Sequence, residues 1–176
     1  MPRQELRIIV EGMDGSGKTT LITKLMEQFP QLELIRNDQG PEQSFETWWP
    51  QNLEREQSDR IPIHDRFFYS ELVYGPVLRG HINADSNLVN NVLWFLRMSA
   101  LLIYARPTTD QLRKGIKVQK QMEGVEDRFT ELLGLYDQLM SAELNWYGAR
   151  FIHYKWDMDE FPLLETVSGY LNGDIR

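Results

Sequence analysis

Eight residues near the start of the chain, Gly12-Met13-Asp14-Gly15-Ser16-Gly17-Lys18-Thr19, satisfy the pattern G-x-x-x-x-G-K-[ST] without a mismatch. Each fixed position has work to do on a polyphosphate. Glycines let the backbone turn its N–H groups inward around an anion. A helix beginning at Gly17 would aim its positive end at the same charge. The Lys18 ammonium suits the β- and γ-phosphates, and the Thr19 hydroxyl suits Mg²⁺. An ordinary glycine-rich turn between strand and helix asks for neither Lys18 nor Thr19. The residues expected to bind a nucleoside triphosphate are therefore Gly12, Met13, Asp14, Gly15, Ser16, Gly17, Lys18, Thr19 and Thr20.

Phosphoryl transfer also needs an acid near such a loop, to hold the metal or to take a proton. Open α/β sheets place their sites at the carboxyl ends of strands. The run LLIYAR ends without an acid, whereas IPIHDR ends in Asp65 followed by Arg66. Asp65 is the candidate beside Thr19 for the metal. Asp65 could instead cap the following helix, as aspartate often does, with Arg66 as a surface ion-pair partner.

Strands and helices must alternate to bring these residues together. Leu6–Val10 reads as a buried strand, 17–28 as a helix with Leu21, Ile22 and Leu25 on one side, and Leu32–Arg36 as a second strand. Residues 41–57, with Trp48 and Trp49, read as a helix, and Ile61–His64 as a third strand. A long helical stretch follows, broken at Gly75–Pro76 and Gly80. Then come a helix over 87–98, a strand Leu101–Tyr104, a helix of roughly 20 residues ending near Trp146, a strand Phe151–Tyr154 and a helix from Glu160 to about Leu171. The strands are near-continuous apolar runs, as in parallel sheets buried on both faces. The fold class expected is α/β, a three-layer sandwich with a five-stranded parallel sheet and helices on both faces, forming one domain over 1–176.

Together these residues resemble the thymidylate kinase and deoxynucleoside kinase branch of the P-loop kinases. The likeness lies in Glu11-Gly-Met-Asp14-Gly-Ser-Gly-Lys-Thr-Thr20, similar to that family's E-G-x-D-G-x-G-K-[ST]-T, and in Asp65-Arg66-Phe67-Phe68-Tyr69-Ser70, similar to its D-R-[YF]-x-x-S. Elsewhere it is architectural. It implies a P-loop nucleotide kinase fold, ATP as phosphoryl donor and Mg²⁺ as metal. Asp14 would face the acceptor's sugar, Asp65 would stand by the metal and the transferred group, and Arg66 would clamp phosphate. Thymidylate kinases continue after the serine with x-x-A-Y-Q, the Gln lying near the base. Here Ser70-Glu-Leu-Val73-Tyr74-Gly75 keeps the Tyr and replaces the Gln with Gly75, which has no side chain to read a base. Tyr74 and Arg79 join Asp14 and Arg66 as acceptor-side candidates, with Arg97 as a further cation.

Residues 106–120 carry Arg106, Arg113, Lys114, Lys117 and Lys120 against Asp110 alone, five minus one or +4 in a chain of net charge −7. Arg113, Lys117 and Lys120 share one face if this is a helix. The resembling kinases carry a mobile lid at this point, expected here over about 106–124 with Gly115 and Gly124 as hinge positions. Closure over ATP would exclude water and bring cations to the developing charge. Some thymidylate kinases place an Arg in the P-loop. This loop has Gly15 and Ser16 there, so Arg113 joins Lys18, Asp65 and Arg66 as a candidate catalytic residue.

The bulk numbers narrow the class. There is no Cys, which excludes disulfides and a thiol nucleophile, and His64, His81 and His153 are too scattered for a metal cluster. A pI near 5.0 weighs against a broad nucleic-acid surface. No leader or membrane span is read, giving the expectation of a cytoplasmic protein without membrane partners. Three functions remain. The first is transfer of the ATP γ-phosphoryl to a (deoxy)nucleoside or its monophosphate, with Asp65 or Glu11 as base for a hydroxyl acceptor. The second is the same chemistry on DNA, at a strand end or a hydroxymethylated base. The third is a nucleotide switch without transfer, for which an N-K-x-D base motif would be expected and is not found. The apolar helices over 87–98 and 125–146 could serve a homodimer or simply the core.

Overall fold

Five apolar runs become β1 (Arg7–Glu11), β2 (Leu32–Arg36), β3 (Ile61–Asp65), β4 (Ala100–Ala105) and β5 (Phe151–Tyr154), all parallel, in the order β2-β3-β1-β4-β5. The computed structural model describes residues 6–36, 46–47, 50–51, 59–118 and 123–175. β1 is the central strand, with Ile9 opposite His64 of β3 and Leu102 of β4. Every residue of β1 and β4 is buried; β4 and the Ile8–Val10 centre of β1 are the apolar runs this requires, and β1 is flanked by the buried charges Arg7 and Glu11. β1 starts one residue later than its apolar run suggests and takes in Glu11, a buried carboxylate at its carboxyl end.

Helices α1 (Lys18–Gln28) and α6 (Glu160–Asn172) cover one face, burying Leu21, Ile22 and Leu25 with Leu163, Val167 and Tyr170. Helices α2 (Phe68–Tyr74), α3 (Ser86–Ser99), α4 (Thr109–Val118) and α5 (Phe129–Tyr147) bury side chains against the other. α2 is shorter than the long stretch read from sequence. It widens into a π turn over Gly75–Arg79, which begins at the Gly75–Pro76 step and ends at Gly80. α3 starts where Asp85 accepts from the Asn87 and Leu88 amides at 2.7 and 2.9 Å.

The five-stranded parallel sandwich is as the sequence implies. Of the helix expected over 41–57, residues 46–47 and 50–51 are described and helical, and the Trp48–Trp49 pair lies outside the described residues. Among the described residues, no helix is long and apolar enough to cross a membrane.

Candidate active site

The loop from Gly12 to Gly17 leaves the end of β1 and runs into α1. Gly12, Gly15 and Gly17 all have positive φ, and Gly17 in the left-handed region stands at the helix N-cap. The loop closes on itself through the Ser16 amide, which donates to the Met13 carbonyl at 3.2 Å. Lys18 is buried and folds back, its Nζ donating to the same carbonyl at 2.7 Å. Burial first, then the neighbouring Arg66 charge, lower the Lys18 pKa to about 7, with Asp14, Asp65 and Glu11 opposing. Thr19 and Thr20 are exposed at the first turn of α1.

β3 lies beside β1 and delivers the second motif to the same end of the sheet. Thr19 Oγ1 donates to Asp65 Oδ2 at 3.4 Å. Arg66 Nη2 pairs with Asp14 Oδ1, and its guanidinium lies 5.0 Å from the centre of the Tyr74 ring. The Tyr74 hydroxyl donates to Asp14 Oδ2 and accepts from the Asp14 amide, both at 3.3 Å. Asp14, Asp65, Arg66 and Tyr74, drawn from three elements, therefore form one cluster with the loop. A hydroxyl and a carboxylate oxygen this close fit a small hard cation, which takes few protein oxygens and completes its shell with water and phosphate. Thr19 and Asp65 are thus suited to Mg²⁺.

Behind the cluster stands a residue that sequence reading gave only a passing role. Glu11 has no exposed surface. Its Oε1 accepts from the Phe67 amide at 2.7 Å and the Ser70 amide at 3.3 Å. Its Oε2 accepts from Ser70 Oγ at 2.8 Å and the Tyr136 hydroxyl at 3.3 Å. Burial raises the Glu11 pKa against the pull of these bonds and of the Arg66 and Lys18 charges. The recurrence of Glu11 and Ser70 in the two motif segments was the available signal; Tyr136 carried none.

α4, within the stretch expected to act as a lid, rests on the phosphate loop. A Cβ on Gly15 would lie 2.7 Å from the Gly115 carbonyl carbon and the Ile116 nitrogen, so two backbones touch there. Leu112 and Ile116 sink into the core. The Trp156 indole closes the other side, Nε1 donating to the Ser16 carbonyl at 2.6 Å while the ring fills the space over Gly17.

Four of the remaining cations are engaged elsewhere in this conformation. Arg113 lies 4.6 Å over Phe129, Arg79 pairs with Glu71, and Arg97 makes two bonds to the buried Glu143 at 2.8 and 2.5 Å. Arg106, at the root of α4, holds Asp137. Lys114 and Lys117 are exposed, and Lys120 lies outside the described residues. A cleft of about 560 Å³ opens between α5 and β5, lined among others by Tyr104, Arg106, Asp137 and His153, and no residue of the phosphate loop reaches it. The loop remains the candidate site, since phosphate is held by backbone N–H groups rather than by an enclosed hollow.

No protein-family model matches the chain, and no curated protein matches it. Solved structures do. The YorR protein of Bacillus subtilis, in complex with phosphorylated GDP, aligns with a TM-score of 0.69 at 19% identity over 95% of this chain and 96% of that one. Deoxyadenosine kinase of M. mycoides, with dCMP and dCDP bound, aligns with a TM-score of 0.60 at 17% identity over 96% of this chain and all of that one. Thymidylate kinase of Candida albicans aligns with a TM-score of 0.59 at 12% identity over 96% and 92%. The chain has the fold of the P-loop nucleoside and nucleotide kinases along nearly its whole length.

Proposed function

We propose that this chain is an ATP-dependent phosphotransferase that passes the γ-phosphoryl to a deoxynucleoside or a deoxynucleoside monophosphate. The observation that carries the reading is the meeting of the 12–19 loop with Asp65 on one side and the Asp14–Arg66–Tyr74 cluster on the other. A triphosphate would be held by the loop amides and the amino end of α1, with Lys18 exchanging the Met13 carbonyl for a phosphate oxygen. Thr19 and Asp65 would hold Mg²⁺, which when bound neutralises charge on the β- and γ-oxygens. An acceptor oxygen attacks the γ-phosphorus as the bond to the bridging oxygen breaks, leaving ADP. Asp14 would orient the acceptor's sugar hydroxyl and Arg66 would clamp phosphate, its planar fork suiting two oxygens at once. A monophosphate acceptor is already ionised, whereas a nucleoside hydroxyl would give its proton to Asp65.

A DNA acceptor is a second reading, favoured by the exposed Lys114 and Lys117 on the helix that rests on the loop and by Gly75 in place of a base-reading side chain. The test is incubation with Mg²⁺ and γ-labelled ATP against deoxynucleosides, their monophosphates, and single- and double-stranded DNA with and without hydroxymethylated pyrimidines. Label is expected in a nucleoside or monophosphate. Label in DNA alone, falling steeply with salt, would replace the first reading with the second. ATP binding without transfer to any acceptor would leave a nucleotide switch.

A further inference from the structure

We propose that Glu11 is a positioning residue for this site: its carboxylate holds the segment after β3 in the one arrangement that points Arg66 at Asp14. The inference rests on the phosphotransferase reading and assigns Glu11 a role other than proton acceptor. Its two oxygens already receive four donors, and it has no exposed surface with which to meet a substrate.

Arg66 shows why such a hold is needed. Among the described residues it alone, apart from glycines, has positive φ, at 66°. For a residue with a Cβ that conformation is strained and persists only where the surroundings over-determine it. Two successive residues of β1 do so. The Arg66 amide donates to the Val10 carbonyl at 3.0 Å, and the next amide, that of Phe67, donates to Glu11 Oε1 at 2.7 Å. The bonds to Ser70 extend the hold into the first turn of α2. The bond from Tyr136 brings in the ring that meets Tyr74 edge-on at 6.0 Å, and Tyr74 in turn is bonded to Asp14. Glu11 also immediately precedes Gly12. One side chain thus ties the start of the phosphate loop to the backbone carrying the arginine and, through Tyr136, to the ring beside it.

Glutamine and leucine separate this role from the alternatives. The Gln oxygen can accept from the Phe67 and Ser70 amides, and its NH₂ can donate to the Ser70 and Tyr136 hydroxyl oxygens. Glu11→Gln therefore keeps the geometry and loses the ionisable group, while Glu11→Leu keeps the bulk and loses the bonds. For each variant we would measure kcat, the acceptor KM, the dissociation constant of a fluorescent N-methylanthraniloyl ATP, and the Arg66 Nε–H resonance, assigned by its loss in Arg66→Lys. Glu11→Gln should stay within about threefold of wild type in kcat; Glu11→Leu should lose about 100-fold in kcat, with the ATP analogue bound within about threefold of wild type. The Arg66 resonance should move in Glu11→Leu and stay in Glu11→Gln. Equal inactivity of the two variants with the resonance in place would make Glu11 the proton acceptor and overturn the proposal. Wild-type kcat in Glu11→Leu would overturn it as well. Should Glu11→Leu not fold, Ser70→Ala decides: a roughly tenfold drop in kcat with the resonance displaced supports the proposal, and no change in either rejects it. Absence of transfer by the wild type would sink the phosphotransferase reading alone, since the Arg66 resonance still reports on the positioning.

Discussion

On the face covered by α1 and α6 the sheet buries Ile8, Val10 and Ile103 against Leu21, Ile22 and Leu25, side chains without a polar atom, while the Tyr170 hydroxyl bonds to Arg7 and Ser99 backbone at the amino ends of β1 and β4, away from the site. On the face covered by α2 to α5 it buries Tyr69, Tyr74, Tyr104, Tyr136 and Tyr147. Their hydroxyls bond to Glu143, Asp14, Asp137, Glu11 and one another. Apolar burial is non-directional, so it fastens a helix to a sheet without dictating where any one atom lies. Hydrogen bonds do dictate it, and an unmatched buried group is costly. The first face holds the sandwich together; the second sets the arrangement of the cluster at the sheet's carboxyl end.

Three measurements would break or sharpen that division. Leu25→Ala, at a site with no exposed surface in the aliphatic face, should cost about 2–5 kcal/mol and lower the melting temperature by roughly 5–15 °C. Phosphotransfer per folded molecule should not change, measured by kcat well below the transition. A parallel loss of kcat would mean the faces are not separable. Gly115→Ala tests the contact between α4 and the phosphate loop. Its Cβ would meet the Gly15 carbonyl oxygen at 2.5 Å and Gly15 Cα at 2.9 Å, backbone that cannot swing aside. α4 must lift, and the KM for ATP should rise roughly tenfold with little change in the acceptor KM or in melting. An unchanged KM for ATP would show that this contact contributes nothing to donor binding.

The smallest effect is a proton. Lys18, with its pKa lowered to about 7 in the ligand-free fold, is mostly neutral at pH 8. A bound polyphosphate favours the charged form, so ATP binding at pH 8 should take up about nine-tenths of a proton. Calorimetry in buffers of differing ionisation enthalpy would read that uptake, and Lys18→Met should abolish it. The same shift sets a sign on stability. Between pH 7 and 10.5 the unfolded chain binds more protons at this lysine than the folded one, so stability rises with pH across that window. Below it the full cost of burying the charge is present.

The parts of the site readable in the sequence are the contiguous ones. Gly12 to Thr19 are contiguous, and strand-then-helix patterning places them at the turn from β1 into α1, so eight neighbouring letters suffice. Asp65–Arg66 could be read because a strand ending in an acid is itself a local signal. The packing of Tyr136 on Glu11 could not, because it joins residues far apart in the chain and a tyrosine in an apolar helix looks like any other core residue. Charge alone was a poor guide to direction. Arg97, a candidate for an acceptor's phosphate, is a rivet for Glu143 between α3 and α5, and Arg113 lies over Phe129 in this conformation. A helical wheel shows which cations share a face, but not which aromatic ring or buried carboxylate waits across from them.

The left-handed backbone at Arg66 has a consequence for how this chain could have been shaped. Glycine would sit there at no steric cost, and asparagine at little. Either would relax the fold while removing the guanidinium that faces Asp14. Selection for thermal tolerance alone would drift away from arginine at this position; selection for the guanidinium accepts a less stable fold. Under the proposed phosphotransfer, the sequence that folds best and the sequence that works best part company at a single residue.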